Sequence, residues 1–262
     1  MSGLKRAILY GLKPHDLGFC GPKEKATKLL LDFVLKNNVS EKKIKKILRE
    51  FVGAYAYYQL IARKNGIKDP FDERVIEAYW LGNELLDRVD GLALKRLVEE
   101  SFSGQGLLPK AVARVRASRI PRGAVPHHSF HVFIIGSVSG RVTLSGAMLD
   151  LCRVGWGKVR RFKISDPSAT ANAGQASSGQ VLRLKNEKEK IVVEYQSLVG
   201  EKKLKLGKPV KKEIVWNQKL LPGLKKGDWV SFHWGQAIEK LSPREIKSLE
   251  KYTRKNLEAM NK

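Results

Sequence analysis

The spacing of apolar residues changes once along this chain, and that change constrains the fold more than any other feature. Between residues 22 and 117, apolar side chains recur every three or four positions, which is the period of an amphipathic helix. From residue 152 onward, β-branched and aromatic residues dominate, which is typical of strands. The chain is therefore predicted to be an α+β protein.

Local signals set the bounds of the predicted helices. Pro22 suits a first helical turn, Ser40 and Asp69 are good N-caps, and Gly66 suits a helix C-terminus. Ser242, followed by Pro243 and Glu245, forms a capping box. Helices are predicted over residues 22–36, 40–66, 70–86, 91–102, 108–117 and 242–261.

Prolines and a glycine at residues 119–126 mark a connection, and residues 129–138 are then predicted to form a strand. Further strands are predicted over residues 153–164, 180–186, 190–198, 209–217 and 228–234, with a small polar loop at 166–179. Short strands of this kind suit a small closed barrel. The predicted layout is a helical domain (1–120), a histidine-containing β element and connection (121–150), and a small OB-like β-barrel with a C-terminal helix (151–262).

The charge balance is strongly basic. Lys and Arg number 50 against 26 Asp and Glu, which gives a formal net charge of +24. Such a charge favours nucleic acid, an acidic protein surface or anionic lipid as a partner. The alternative is a solvated surface of the kind found in thermophilic proteins.

The cysteine content and the N-terminus bear on the compartment. The two cysteines lie far apart in different sequence contexts, so a disulfide framework is not expected. The sequence has no signal-type segment and no apolar stretch long enough to span a bilayer. We therefore expect a cytoplasmic protein.

Two segments of the C-terminal part carry a family pattern. They read LCRVGWGKV at residues 151–159 and KKGDWVSFHWGQAIEKL at residues 225–241. Together they resemble the HypC/HupF family of hydrogenase-maturation chaperones over about residues 150–255. The matching positions are Cys152, Gly157, Val159, Gly227, Asp228, Trp229, Val230, His233, Gly235, Ala237 and Ile238.

The resemblance implies a role and a set of site residues. Family members bind a partner scaffold protein and carry an iron–cyanide–carbonyl unit to the hydrogenase large-subunit precursor. Cys152 would then contact iron, which suits a soft thiolate, and His233 would lie beside it. Gly157, Trp229, Gly235 and Trp156 would contribute to binding, although Trp156 stands where the family has proline and Cys152 is internal rather than N-terminal.

The whole chain also resembles an uncharacterised bacterial and archaeal family (DUF6390-like), some of whose members are encoded near hydrogenase genes. The strings that carry this resemblance are LGFCGP at residues 17–22, VIEAYWLGN at 75–83, LLDRV at 85–89 and GAVPHHSFHVF at 123–133.

A second set of candidate ligands lies outside the predicted barrel. His127, His128 and His131 are three of the five histidines. On a strand, His127 and His131 share a face and His128 points the other way. A metal site there would need further ligands, such as Cys20 or His15.

Cys20 has two interpretations. A helix that starts at Pro22 would lower the pKa of a thiol just before it, and His15 would then complete a Cys–His nucleophile pair. Alternatively, Gly18, Gly21 and Pro22 shape a tight turn and Cys20 packs beneath it.

Three functions from different classes fit these patterns. The first is a metallocentre-assembly chaperone or adaptor that uses Cys152 and transiently holds iron. The second is a basic OB-like module that binds nucleic acid, with Trp156, Trp229 and Trp234 as stacking residues. The third is a metal- or thiol-dependent enzyme that uses Cys20 with the three clustered histidines. The sequence has no P-loop, dinucleotide fingerprint or CxxC pair, and it favours a non-enzymatic role.

Overall fold

The fold was obtained as a computed structural model. It describes residues 1–36, 38–104, 106–163 and 189–262. The loop predicted at 166–179 and the strand predicted at 180–186 lie outside the described residues. Ten α-helices are numbered α1–α10 in chain order: Gly3–Asp16, Thr27–Lys36, Glu41–Arg49, Val52–Lys64, Glu73–Trp80, Gly91–Arg96, Lys110–Ser118, His128–Phe130, Ala147–Cys152 and Pro243–Met260.

Helix α1 is the centre of the helical part, and its apolar run was not predicted to be a helix. Ser2 caps it by accepting a hydrogen bond from the backbone N–H of Lys5. Most of its residues are buried, against α2, α3, α5 and strand β5 (Gln236–Lys240). A helix that is covered on nearly every side shows no apolar stripe, so its periodicity is weak.

Several predicted helix bounds are wrong for local reasons. The first predicted helix begins at Thr27 and not at Pro22. The second is two helices, because Phe51 leaves the helical conformation between α3 and α4. The third begins at Glu73 with Asp72 as its cap, because Asp69 is bonded to Phe71 and Lys45 instead. A 3₁₀ turn, Glu84–Arg88, follows it.

The strand predicted over residues 129–138 is wrong. His128–Phe130 is a short helix that continues as a π-helical turn over His131–Ile135. The imidazole of His127 caps it by accepting the backbone N–H of Ser129 at 3.2 Å. Val132 and Ile135 are buried, and an apolar run buried on several sides cannot be told from a strand by periodicity alone.

The second half forms a closed barrel in the order β1-β2-β3-β5-β4. Its strands are β1 Gly155–Lys163, β2 Glu189–Val199, β3 Lys205–Trp216, β4 Trp229–His233 and β5 Gln236–Lys240. All pairs are antiparallel except β3 with β5. This confirms the predicted α+β class with a small OB-like barrel, although β5 was not among the predicted strands.

The barrel has its own interior, whose buried side chains include Val159, Ile191, Val193, Ile214 and Phe232. Its outer face and the terminal helix pack into the core of the helical part. The predicted capping box at Ser242 is present at the start of α10.

Buried polar contacts join the two parts of the molecule. Arg6 on α1 makes a bidentate ion pair with Glu239 on β5, with nitrogen–oxygen distances of 3.0 Å and 3.0 Å. The hydroxyl of Tyr10 donates to Ser231 at 2.7 Å. The helices therefore fix the position of strands β4 and β5. Within the described part of the chain, no helix has the length and apolar character that crossing a membrane requires.

Candidate metal centre

A cavity of about 830 Å³ opens between the helical part and the barrel. Both cysteines and three of the five histidines line it. These residues are Cys20, His128, His131, Cys152 and His233. They come from four separate segments of the sequence, so the tertiary fold assembles the site.

Cys152 occupies the end of α9, three residues before β1, and does not begin the first strand of the barrel. Only 7% of its surface is exposed. The preceding Asp150 fixes this helix end, because its carboxylate accepts hydrogen bonds from Arg153, from the hydroxyl of Tyr195 and from the backbone N–H of Leu198. The barrel therefore holds the thiol at the buried end of the cavity, which we call its floor.

His128, Cys152 and His233 form a cluster at that floor. One potential ligand atom from each lies within 4.8 Å of the others, and all three residues are buried. Bond lengths of about 2.0–2.3 Å place the ligands of a tetrahedral metal roughly 3.5 Å apart. A side-chain shift on the order of 1 Å would thus bring these atoms to a metal. Three protein ligands would leave the fourth position of a tetrahedral metal free for another ligand.

His233 is arranged as a ligand before any metal binds. Its Nδ1–H donates to the backbone carbonyl of Tyr10 at 2.7 Å. That bond leaves Nε2 with a free lone pair, and this buried atom has no hydrogen-bond partner. Burial lowers the pKa of His233 to about 4, so the imidazole is neutral near pH 7. Such a fixed tautomer is the usual state of a metal-binding histidine.

His128 is the third member of the cluster and is hydrogen-bonded through both nitrogens. Nε2 lies 2.8 Å from the carbonyl oxygen of Cys152, and Nδ1 lies 3.0 Å from the hydroxyl of Tyr79. Burial, and next the neighbouring His233, hold its pKa well below the usual range. To bind a metal through Nε2, His128 must move its proton to Nδ1 and donate it to Tyr79.

The thiol of Cys152 is protonated in this environment. Burial raises its pKa, and Trp234 opposes this in part. The indole N–H of Trp234 has no acceptor within hydrogen-bonding distance, yet it is close enough to the sulfur to favour a thiolate. Because thiol and imidazoles are all neutral, the pair of Cys152 and His233 lacks the thiolate–imidazolium character of an activated nucleophile. A metal cation would supply the charge that a buried thiolate needs.

The three clustered histidines do not lie where the predicted strand would place them. His127 lies outside the cavity, with Nδ1 2.8 Å from the Ser129 hydroxyl. His131 lines the cavity wall, and its Nδ1 lies 3.3 Å from the hydroxyl of Tyr57. Of the three, only His128 belongs to the cluster with Cys152 and His233. It was the member predicted to point away from the other two.

Cys20 lines the cavity but is not a member of the three-residue cluster. The predicted lowering of its thiol pKa is wrong, because α2 begins at Thr27, seven residues after Cys20, and not at Pro22. Exclusion of water from around the sulfur raises the pKa of Cys20 to about 11, with Arg141 acting in the opposite direction, although the residue as a whole is exposed. The Cys–His pair is not formed, because the two nitrogens of His15 contact the Cys20 carbonyl and the N–H of Ala26.

The other residues expected to bind are structural or lie away from the cavity. Gly157 is in β1, where a Cβ would lie 2.7 Å from the carbonyl oxygen of Glu194. Gly235 has a φ of 71° in the turn between β4 and β5. Trp156 is buried with the Arg153 guanidinium over its ring, and Trp229 is half-buried.

Two of the three tryptophans proposed for stacking on bases are not presented to solvent. Trp156 and Trp234 are each 7% exposed. An aromatic platform for nucleic acid needs accessible ring faces, so these two rings do not supply one.

Sequence reasoning did not identify Tyr79, Trp80 and Trp234 as part of the cavity wall. A signal for the first two was present in the string VIEAYWLGN. Its neighbours LGFCGP and GAVPHHSFHVF supply Cys20 and His128 to the same cavity. The three strings converge on one site.

The comparisons with known proteins agree with this whole-chain organisation. A family model described as a family of unknown function, DUF6390, matches residues 2–174 and 171–262. No curated protein matches the chain, and no solved structure matches it.

Proposed function

The chain belongs to the DUF6390 family, whose function is unknown, and we propose that it is a metallocentre-assembly chaperone that holds a soft metal fragment in its cavity. The observation that carries this proposal is the buried cluster of His128, Cys152 and His233. One thiolate with two neutral imidazoles is a donor set that suits soft and borderline metals.

A transient cargo fits this site better than a structural metal. The helical part and the barrel each have an apolar core of their own, so folding does not depend on a metal at the cavity floor. The raised pKa of Cys152 makes its thiolate easy to reprotonate, and reprotonation releases the ligand. A metal carrier needs a site that both binds its cargo and releases it.

The identity of the cargo follows from the resemblance of the barrel segments to HypC/HupF chaperones. In that case the substrate is an iron unit with cyanide and carbonyl ligands, and Cys152 contacts the iron. The indole N–H of Trp234, a buried donor without an acceptor, suits the nitrogen of a bound cyanide. The partner is then a hydrogenase large-subunit precursor or a maturation scaffold protein.

Infrared spectroscopy tests this assignment. Protein purified without oxygen from its native host should show cyanide and carbonyl stretching bands. The Cys152→Ala variant should lose these bands, because the thiolate that holds the iron is gone. Cys20→Ala is the matched control, since it removes a thiol from the same cavity and should retain the bands. Wild-type protein without bands, and without a co-purifying hydrogenase subunit, would rule out this cargo.

A further inference from the structure

The mouth of the cavity is basic, in contrast to its floor. Five cationic residues and two acidic residues line it, which gives a net charge of 5 − 2 = +3. The cations are Lys23, Lys25, Lys43, Lys46 and Arg141, and the acids are Glu24 and Glu50. All seven are exposed. Within residues 1–36, 38–104, 106–163 and 189–262, none of the five cations forms an ion pair.

The walls and floor are aromatic, and two polar atoms there lack hydrogen-bond partners. Tyr58, Tyr79, Trp80 and Trp234 line the cavity and are buried. The donor Nε1–H of Trp234 and the acceptor Nε2 of His233 have no partner within hydrogen-bonding distance, although the Trp234 N–H faces the thiol of Cys152. Buried polar groups normally have partners, so this pair points to a ligand that reaches the floor.

The volume exceeds what a metal fragment fills. Cavities of about 300–1,000 Å³ hold organic ligands of drug size, and this cavity measures about 830 Å³. A metal with a few diatomic ligands occupies only the space of several water molecules, at roughly 30 Å³ each. Most of the cavity is left for something larger.

We infer that the cavity binds an elongated small organic anion, with its apolar body between the aromatic walls and its anionic group at the basic mouth. Unpaired cations at the mouth select the charge, and the rings of Trp80 and Trp234 select the apolar body. This inference goes beyond the metal-carrier proposal, because it needs neither a metal nor the thiol of Cys152.

Two dyes with nearly the same aromatic body test the inference. 8-Anilinonaphthalene-1-sulfonate carries a sulfonate, and N-phenyl-1-naphthylamine does not. Both are titrated by fluorescence in EDTA, which keeps metal binding out of the result. The anionic dye should bind more tightly than the neutral one, and only its affinity should fall with added salt.

Charge variants then locate the anionic group. The triple variant Lys43→Ala/Lys46→Ala/Arg141→Ala should weaken the anionic dye about tenfold and change the neutral dye by less than about twofold. The control Lys42→Ala/Arg49→Ala/Lys68→Ala removes the same charge from exposed residues outside the cavity. It should change neither dye by more than about twofold.

A filling variant locates the apolar body. Leu144 lines the cavity and is half-buried, so Leu144→Trp should weaken both dyes. Three results would overturn the inference. They are an anionic dye that does not bind, a mouth variant that weakens the anionic dye no more than its control does, and a filling variant that affects neither dye. Circular dichroism of each variant separates these results from a failure to fold. None of these outcomes depends on whether Cys152 binds a metal.

Discussion

Replacing Cys152 with serine is expected to weaken Co²⁺ binding by more than about a hundredfold. The substitution removes an atom that binds the metal, and losing only a hydrogen-bond partner of such a ligand already costs about 10–100-fold. The sulfur-to-cobalt charge-transfer absorption should vanish with it. The physical reason is that the cluster of His128, Cys152 and His233 has one anionic donor. Without the thiolate, a buried dication would meet only two neutral imidazoles and lose its charge compensation.

Cys20→Ser is the control for that substitution. It makes the same chemical change at the other thiol of the cavity, which is not part of the cluster. Its Co²⁺ affinity should stay within about threefold of wild type, which is less than about 1 kcal/mol. An equal loss in both variants would mean that the metal does not bind where the cluster lies. An undiminished Co²⁺ affinity in Cys152→Ser would show that the Cys152 thiolate is not a metal ligand.

Mild acid should destabilise the protein steeply. Four histidines that the fold encloses, His127, His128, His131 and His233, are neutral in the folded protein near pH 7. Burial lowers the pKa of His127 to about 3 and the pKa values of His131 and His233 to about 4, from an ordinary value of 6.5. It also holds the pKa of His128 well below that value.

The sign of the effect follows from proton binding. Below pH 6.5 the unfolded chain takes up protons that the folded protein refuses, so the free energy of unfolding falls as the pH falls. Four protons correspond to about 5 kcal/mol per pH unit near pH 5.5. The loss begins about one pH unit above 6.5, where the unfolded imidazoles start to take up protons, and levels off below the folded pKa values. Urea unfolding at several pH values between 7 and 5 measures it.

His127→Asn provides a matched comparison for the acid effect. Asparagine retains the N-cap acceptor for Ser129 but does not titrate. The slope should therefore fall by about one proton, or about 1.4 kcal/mol per pH unit. A wild-type slope of less than one proton would show that these imidazoles are not held neutral by the fold.

The parts of the fold that were predictable have repeating local signals. Strands β1 to β4 and the capped helix α10 were expected near their observed bounds. Helix α1 and the helical turns at His128–Ile135 were not. Both are buried on several sides, so their apolar residues follow no single face. Only the tertiary packing decides their conformation.

In the candidate site, too, part of the arrangement was predictable from the sequence and part depends on tertiary packing. The approach of His233 to Cys152 was expected from the resemblance of the barrel segments, and the structure places them in one cluster. His128 joins them because the segment is helical and because Tyr79 and the Cys152 carbonyl orient its ring. The spacing of the histidines in the sequence predicts neither the helical conformation nor these two contacts. The raised pKa of Cys20 likewise depends on the residues that the tertiary fold packs around its sulfur.

X-ray absorption at the zinc edge of Zn²⁺-loaded protein tests the central claim most directly. One sulfur at about 2.3 Å and two imidazole nitrogens at about 2.0–2.1 Å are expected, from Cys152, His128 and His233. The sulfur shell should persist in Cys20→Ser and disappear in Cys152→Ser. A first shell without sulfur, or one with two sulfurs, would contradict a single buried site built from these three residues.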